Sequence, residues 1–267
     1  MTIANHIKGK LYALRTLLRM IVWLVNWREI WSAHRAPRQI PTLRFRQGLI
    51  ICSGASDDPI VLLREIFADG CYRRYASELT SGVMVDIGAN IGAASLDLAS
   101  CFPRLEVHAY EPNPSTMRMM SRNVEENGFS KRIHVHGEAV GRDAGEFKLR
   151  VNGSSVTATG YGYGQPAPQA IDVTVPMIKL DEVLRRTGGA SIAFLKIDAE
   201  GAEADILEGA SSSTLAAISR VVLEYHEWLV PGALDRCKQV LSHAGFRMSV
   251  HRLNDHQGLL CGLRESK

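Results

Sequence analysis

A chain of 267 residues with 46% apolar side chains can bury one substantial α/β core plus an appendage. The net charge of +3 is unevenly spread: nine basic side chains against Glu29 alone give residues 1–50 a charge of +8 and leave −5 for the remainder. Cys52, Cys71, Cys101, Cys237 and Cys261 are scattered, odd in number and free of C-x-x-C spacing, which excludes a zinc knuckle and a disulfide framework and points to free thiols in a reducing cytoplasm.

Ile7, Leu11, Leu14, Leu18, Ile21, Val22 and Val25 recur at helical spacing, with Lys8, Arg15 and Arg19 gathered beside the stripe. Such a helix either lies on an anionic membrane surface, here the inner face, or packs on the rest of the chain or on a second copy of it. The longest uncharged run of this N-terminal segment, Met20 to Trp27, falls far short of the roughly 20 apolar residues of a membrane span, and no small-residue cleavage site follows it. Residues 35–39 with Pro37 and Pro41 read as a linker, and 43–52 as a strand or hairpin. Asp57 and Asp58 precede Pro59 and can cap a helix over 59–67 that covers one side of a pocket. Residues 1–60 are thus expected to be an extension and linker, and 61–267 one α/β domain with an insertion at 145–178.

From there β and α patterns alternate. Strands are expected up to residue 87 and over 106–110, 133–135, 192–197 and 221–225; helices over 91–100, 114–126, 202–208 and 233–243. Asn127-Gly128 closes the second of these helices, as glycine past a helix end does. Two late strands, 246–250 and 259–263, flank Asn254-Asp255 and can form an antiparallel hairpin. Alternation of this kind demands right-handed crossovers and a mostly parallel sheet covered on both faces. Ligands then gather outside the carboxyl ends of the strands, where Asp86, Glu111, Asp198 and Glu224 fall. In the insertion, 146–151 and 171–177 read as extra strands, and Tyr161 and Tyr163 between glycines read as a lid or as a surface loop.

Asp86, Gly88, Asn90 and Gly92 form a turn between a buried strand and a helix start, whose free N–H groups favour an anionic group. A dinucleotide fingerprint would need glycine at Asn90 and at Ala93, and a carboxylate at Asp86 would repel a pyrophosphate. The same carboxylate would attract an ammonium. S-adenosylmethionine, with an ammonium, a carboxylate, a sulfonium and an adenosine, fits this pattern, and Glu111 one βα unit later is placed to accept hydrogen bonds from ribose hydroxyls.

The D-x-G-x-N-x-G turn is followed in order by Ala109-Tyr110-Glu111-Pro112-Asn113-Pro114, then Glu138-Ala139-Val140-Gly141, then the run from Leu195 to Glu203, then Leu223-Glu224-Tyr225-His226. These blocks resemble the FkbM family of S-adenosylmethionine-dependent methyltransferases. The resemblance implies a Rossmann-like class I methyltransferase of α/β class: a mostly parallel seven-stranded sheet with an antiparallel C-terminal hairpin, here with an N-terminal helical extension. It also implies O-methylation of hydroxyls on sugars, glycans or polyketide-like products. On the cofactor side it places Asp86, Gly88, Asn90, Gly92, Glu111, Pro112, Asn113, Glu138, Ala139 and Asp198, and it turns the block from Lys196 to Glu203 towards the acceptor. Ala199 departs from the valine more usual there.

Methylating a hydroxyl calls for a general base, and the candidates are Asp198, Glu200, Glu224 and His226. Asp198 and Glu200 can both face the cleft only if the chain leaves strand geometry at Ala199, and an imidazole titrating near neutrality would suit His226 to the task. Lys196, on the face of Asp198, would hold an acceptor oxygen, neutralise the carboxylate or form a structural ion pair. The same acids with His226 could instead hold Mg²⁺ or a related divalent ion. A nucleic-acid methyltransferase is the rival suggested by the basic N-terminus. The missing Asn/Asp-Pro-Pro-aromatic signature argues against it, so no nucleic-acid partner is expected. A cofactor-binding module without catalysis is the third reading.

Overall fold

The computed structural model describes residues 3–35, 42–53, 59–152, 154–159, 171–189 and 191–264. Strand β3 (Gly82–Ile87) has Met84, Val85, Asp86 and Ile87 all buried, as a strand covered on both faces requires. It leads into α4 (Ala93–Cys101), whose first seven residues are buried. The alternation continues through β4 (Leu105–Tyr110), α5 (Pro114–Glu126), β5 (Ile133–His136), β10 (Ile192–Ile197), α7 (Glu203–Gly209), β11 (Arg220–His226), α9 (Ala233–His243), β12 (Phe246–Arg252) and β13 (Gln257–Arg264). The seven strands lie in the order β12-β13-β11-β10-β3-β4-β5, parallel except for β13, which pairs antiparallel with both neighbours. This is the expected mostly parallel seven-stranded sheet with its antiparallel C-terminal hairpin. Register fixes the chemistry: Lys196 stands beside Asp86, and His226 stands opposite Gln257.

The N-terminal segment is part of this core. Helices α1 (Ile3–Trp23) and α2 (Trp27–Arg35) and the hairpin β1 (Leu43–Arg44) and β2 (Ile50–Ile51) bury Met20, Leu24, Ile30, Leu43, Phe45 and Ile51 in one cluster with Met84, Leu96 and Phe194. Two side chains one turn apart, one on α5 and one at its C-cap, hold the hairpin in place. The amide of Asn127 accepts from Ile50 N–H at 2.8 Å and donates to its carbonyl at 2.6 Å. The amide of Asn123 does the same with Cys52, at 2.8 and 3.0 Å, and also donates to the carbonyl of Ile91 at 2.9 Å. Neither contact is visible in a hydrophobic pattern.

The single helix expected over 59–67 is instead α3 (Pro59–Leu62) followed by a π-helical turn, Leu63–Ala68, that buries Leu63 and Phe67. Such widened turns are frequent at functional sites, and this one forms one wall of the cavity described below. Of the linker expected over 35–39, Arg35 ends α2 and the rest lies outside the described residues, as do the capping pair Asp57 and Asp58 and Tyr161 and Tyr163. Three strands of the insertion, β7 (Gly145–Asn152), β8 (Ser154–Thr159) and β9 (Ile171–Ile178), make a second sheet with β6 (Ala139–Val140), which precedes the insertion, in the order β6-β9-β7-β8. Two short helices, α6 (Leu180–Arg186) and α8 (Ser212–Ala216), have too few turns to show a periodic stripe and were not anticipated.

Candidate functional site

A cavity of about 730 Å³ opens at the carboxyl ends of β3, β4, β10 and β11, between the π-helical turn and the insertion. On its β3 side the glycines answer to packing within the chain. A Cβ at Gly88 would sit 1.8 Å from the Asp198 carbonyl oxygen, and one at Gly92 would sit 2.9 Å from Met120. Both have positive φ, 72° and 83°, so glycine is needed twice over. Gly88 lines the cavity, as do Ile91 and Ala93 on either side of Gly92.

Glu111 is buried, and its carboxylate is oriented by two backbone N–H groups, that of Asn90 at 3.0 Å and that of Asn113 at 2.8 Å. Asn90 reaches that position with a left-handed φ of 52°. The anion anticipated at this turn is therefore the protein's own Glu111. Burial pushes its carboxyl up to about 7, against the pull of the two N–H groups. Each oxygen keeps a further lone pair.

Asp86 does something other than expected. It is fully buried, accepts a 2.6 Å hydrogen bond from Ser95 Oγ, and lies 2.9 Å from Lys196 Nζ. It is not among the residues that line the cavity, and its charge faces Lys196 in place of the ammonium expected there. The strand pairing that aligns position 86 with Lys196 consumes its charge inside the sheet. Lys196 is anchored in turn: Nζ donates to the Gly88 carbonyl at 2.9 Å, lies 3.9 Å from Asp198 and sits over the Tyr72 ring at 5.3 Å. Burial would lower its pKa, but Asp86 and Asp198 outweigh that and raise it. Of its three expected roles, the structural ion pair and the neutralisation of acids are the ones the geometry displays.

The wall expected to face the acceptor is built by a turn. After Asp198 the chain leaves β10 through Ala199, Glu200 with φ 48° and Gly201 with φ 103°, so the bend falls on Glu200 itself. Glu203 fixes the turn: fully buried, it accepts from the N–H groups of Ala199 and Gly201, both at 3.1 Å, and stands 3.8 Å from His226 Nδ1. The other imidazole nitrogen lies 3.8 Å from Glu224 and 4.0 Å from Glu200. Gln257 donates to Glu224, and the Tyr72 hydroxyl stands 3.5 Å from Asp198.

Crowding of acids in a desolvated wall sets the electrostatics. Burial, then Asp198, pushes Glu200 up to about 8. Burial, then Asp198, pushes Glu224 up to about 7. Asp198 is raised by burial despite Lys196. His226 behaves differently from expectation: burial works to lower it, but Glu203, Asp198 and Glu200 outweigh burial and hold it at about 9. It is an imidazolium near neutrality, which makes it a partner for the carboxylates and removes it from the list of resting bases. Donor atoms of Asp198, Glu200 and His226 lie within 4.8 Å of one another, a set able to hold a divalent cation.

On the remaining wall, Pro112 and Ala139 line the cavity, and Glu138 does so while gripped by Arg186. Asn113 does not line it; its side chain caps α5 by accepting from Ser115 N–H at 3.0 Å. The pairing of this cavity with an ordered set of motifs is decided by comparison: a family model for the methyltransferase FkbM domain matches residues 86–248. The chain belongs to the FkbM methyltransferase family. A relative, 31-O-demethyl-FK506 methyltransferase FkbM of Streptomyces tacrolimicus, is 28% identical over 235 residues, 78% of this chain and 89% of its own. The hexuronic acid methyltransferase AglP of Haloferax volcanii is 23% identical over 188 residues, 69% of this chain and 71% of its own. Among solved structures, an FkbM methyltransferase from Methylobacillus flagellatus gives a TM-score of 0.48 at 19% identity, over 76% of this chain and 53% of its own.

In this FkbM methyltransferase the structure gathers Asp198, Glu200, Glu224 and His226 on one wall and Glu111 across from them. Sequence reasoning missed Tyr72 and Gln257, and saw Glu203 only as the end of a motif. Gln257 was reachable through the hairpin register opposite His226; Tyr72 follows a π-helical turn and carries no sequence signal.

Proposed function

We propose that this methyltransferase uses S-adenosylmethionine to methylate a hydroxyl of a sugar, glycan or related natural product. One observation carries the reading: a single cavity is lined on one wall by Glu111, with lone pairs free for ribose hydroxyls, and on another by carboxyls raised to about 7 and about 8. The residues fit a cationic nucleoside. Lys196 is matched by Asp86, so the cavity presents carboxylates and not an uncompensated lysine to an ammonium and a sulfonium. The relatives that act on 31-O-demethyl-FK506 and on hexuronic acid support an oxygen acceptor.

When bound, the cofactor supplies an electrophilic methyl group. The chain's own task is alignment and exclusion of water, worth about 7–11 kcal/mol when geometry is good. Glu224 accepts the hydroxyl proton, since its carboxyl near 7 is substantially ionised at physiological pH, and Gln257 holds it in place. Asp198 and Glu200 accept hydrogen bonds from neighbouring hydroxyls of the acceptor. The test is incubation with methyl-labelled cofactor and fractionated glycans, glycolipids, natural-product extracts and RNA. Label in hydroxylated fractions supports the reading; label in RNA alone overturns it.

A divalent ion on Asp198, Glu200 and His226 is a second reading, favoured by their convergent donor atoms; turnover unchanged after EDTA treatment and dialysis removes it. The N-terminal helix supports a site of action at a membrane surface. No described helix is long and apolar enough to cross a membrane. Yet α1 buries Thr16 and Met20 while Leu14, Leu18 and Val22 are each more than half exposed on the other side, as is Val25 just beyond it. Flotation with anionic vesicles should carry the full chain, and a Leu18→Asp/Val22→Asp variant should stay behind; equal behaviour of the two rejects this contact.

A further inference from the structure

A second cluster of ligand-bearing side chains lies away from the cavity, on the last two strands of the sheet. Parallel pairing sets His108 beside His134 and Tyr110 beside His136. Alternation along β4 then puts Glu106 on the same face as His108 and Tyr110. His134 Nε2 lies 3.0 Å from Glu106 Oε1, His108 Nε2 lies 3.9 Å from the same oxygen, and one ligand atom from each residue falls within 4.8 Å of the others.

The orientation of His108 is what distinguishes this cluster from a chance surface pair. Its ring is buried, and its Nδ1 lies 3.2 Å from His136 Nε2. The two rings stack with centroids 5.3 Å apart and planes 8° apart, and His136 stacks on Tyr110 at 4.4 Å. With Nδ1 engaged, Nε2 is left pointing at Glu106 and His134. Metal-ligating imidazoles are held in this way, by a partner on the other ring nitrogen.

We propose that Glu106, His108 and His134 bind a zinc-class divalent transition metal through two imidazole Nε2 atoms and one carboxylate oxygen, with solvent completing a tetrahedron. Imidazole and carboxylate donors suit zinc, copper or nickel and not magnesium or calcium. Bond lengths near 2.0–2.1 Å place adjacent tetrahedral ligands about 3.3 Å apart, a value bracketed by the 3.0 and 3.9 Å separations already present. Histidine 136 is the outer partner that fixes the His108 tautomer. The ion staples β5, a four-residue strand at the sheet edge, to β4. That strand supports the cofactor wall, because the His136 carbonyl accepts the Glu111 N–H at 3.0 Å and the Tyr110 carbonyl accepts those of Gly88 and Ala89, each at 3.0 Å.

The full chain, stripped with chelator and dialysed, is titrated with zinc alone by calorimetry at pH 7.5 and melted with and without one equivalent. The expected result is one tight ion per chain and a higher Tm. Both effects should weaken by at least about tenfold in affinity in His134→Gln and in Glu106→Gln, whose side chains are half-exposed and whose replacement leaves the core untouched. His226→Gln should bind zinc as the wild type does. Absence of zinc binding, binding unchanged in His134→Gln and Glu106→Gln, or binding abolished in His226→Gln overturns the proposal.

Discussion

Replacing Lys196 with methionine probes the claim that Asp86 is an internal anchor and not a cofactor ligand. The pair is 2.9 Å apart with both groups almost wholly buried. At an effective dielectric constant of about 20 the attraction is about 6 kcal/mol, before the desolvation of both ions is set against it. Lys196→Met leaves Asp86 buried with Ser95 as its remaining partner, and loss of one member of such a pair costs about 3–5 kcal/mol. Adding Asp86→Asn removes the stranded charge and preserves the shape and an acceptor for Ser95. The double variant should then recover at least about 2 kcal/mol of what the single one loses, because paired neutral groups are tolerated where a lone ion is not. Urea unfolding followed by circular dichroism measures both. Calorimetry with S-adenosylhomocysteine on the double variant completes the test: affinity should stay within about fivefold of wild type, about 1 kcal/mol. A double variant no more stable than Lys196→Met, or one that loses nucleoside binding by a hundredfold, would refute the reasoning.

Glu224→Gln should lower kcat by about 10²- to 10⁴-fold with little change in cofactor affinity, and should remove a limb in the pH profile near 7; an unaltered profile assigns the proton to another group. Stability of the ligand-free protein should fall as pH rises from 7 to 9, above the range in which His108 and His136, held below the ordinary imidazole value by burial, titrate. Glu111, Glu200 and Glu224 have folded values of about 7, about 8 and about 7, and His226 of about 9. Each lies above its unfolded value, so each contribution is present below that value and lost as pH climbs through the folded one. The depressed acids Asp181 and Glu182 lose theirs only below about pH 5, outside this window. Melting curves that are flat or rising across this range contradict the electrostatic picture. Gly88→Ala should destabilise by about 2–5 kcal/mol, the sum of left-handed strain and overpacking against the Asp198 carbonyl; thermal denaturation reads it directly.

The sheet was legible because strands buried on both faces and helices of three or more turns leave strong periodic signals, as from residue 82 to Glu126. The carboxyl ends of those strands located the cavity and brought Glu111, Asp198, Glu200, Glu224 and His226 to it. What periodicity could not convey is which acid spends its charge inside the protein. Asp86 and Asp198 are both strand-end acids, but register gives Asp86 to Lys196 and leaves Asp198 open. Titration was equally hidden: His226 ends as an imidazolium because Glu203, from a different element, stands against its other nitrogen. The π-helical turn after Leu62 has no composition that separates it from an ordinary helix.

The two asparagine amides that grip Ile50 and Cys52, one on α5 and one at its C-cap, have an implication for how the N-terminal hairpin is held. Spaced one helical turn apart, they present the donor and acceptor rhythm of a neighbouring strand to the outer rim of a very short hairpin. A helix is thereby impersonating a β-ladder, and the rim is sealed without any strand being added. Without either amide, backbone groups of Ile50 or Cys52 would be left unpaired inside the protein, so asparagine at 123 and 127 secures the docking of the hairpin, separately from anything the cavity does.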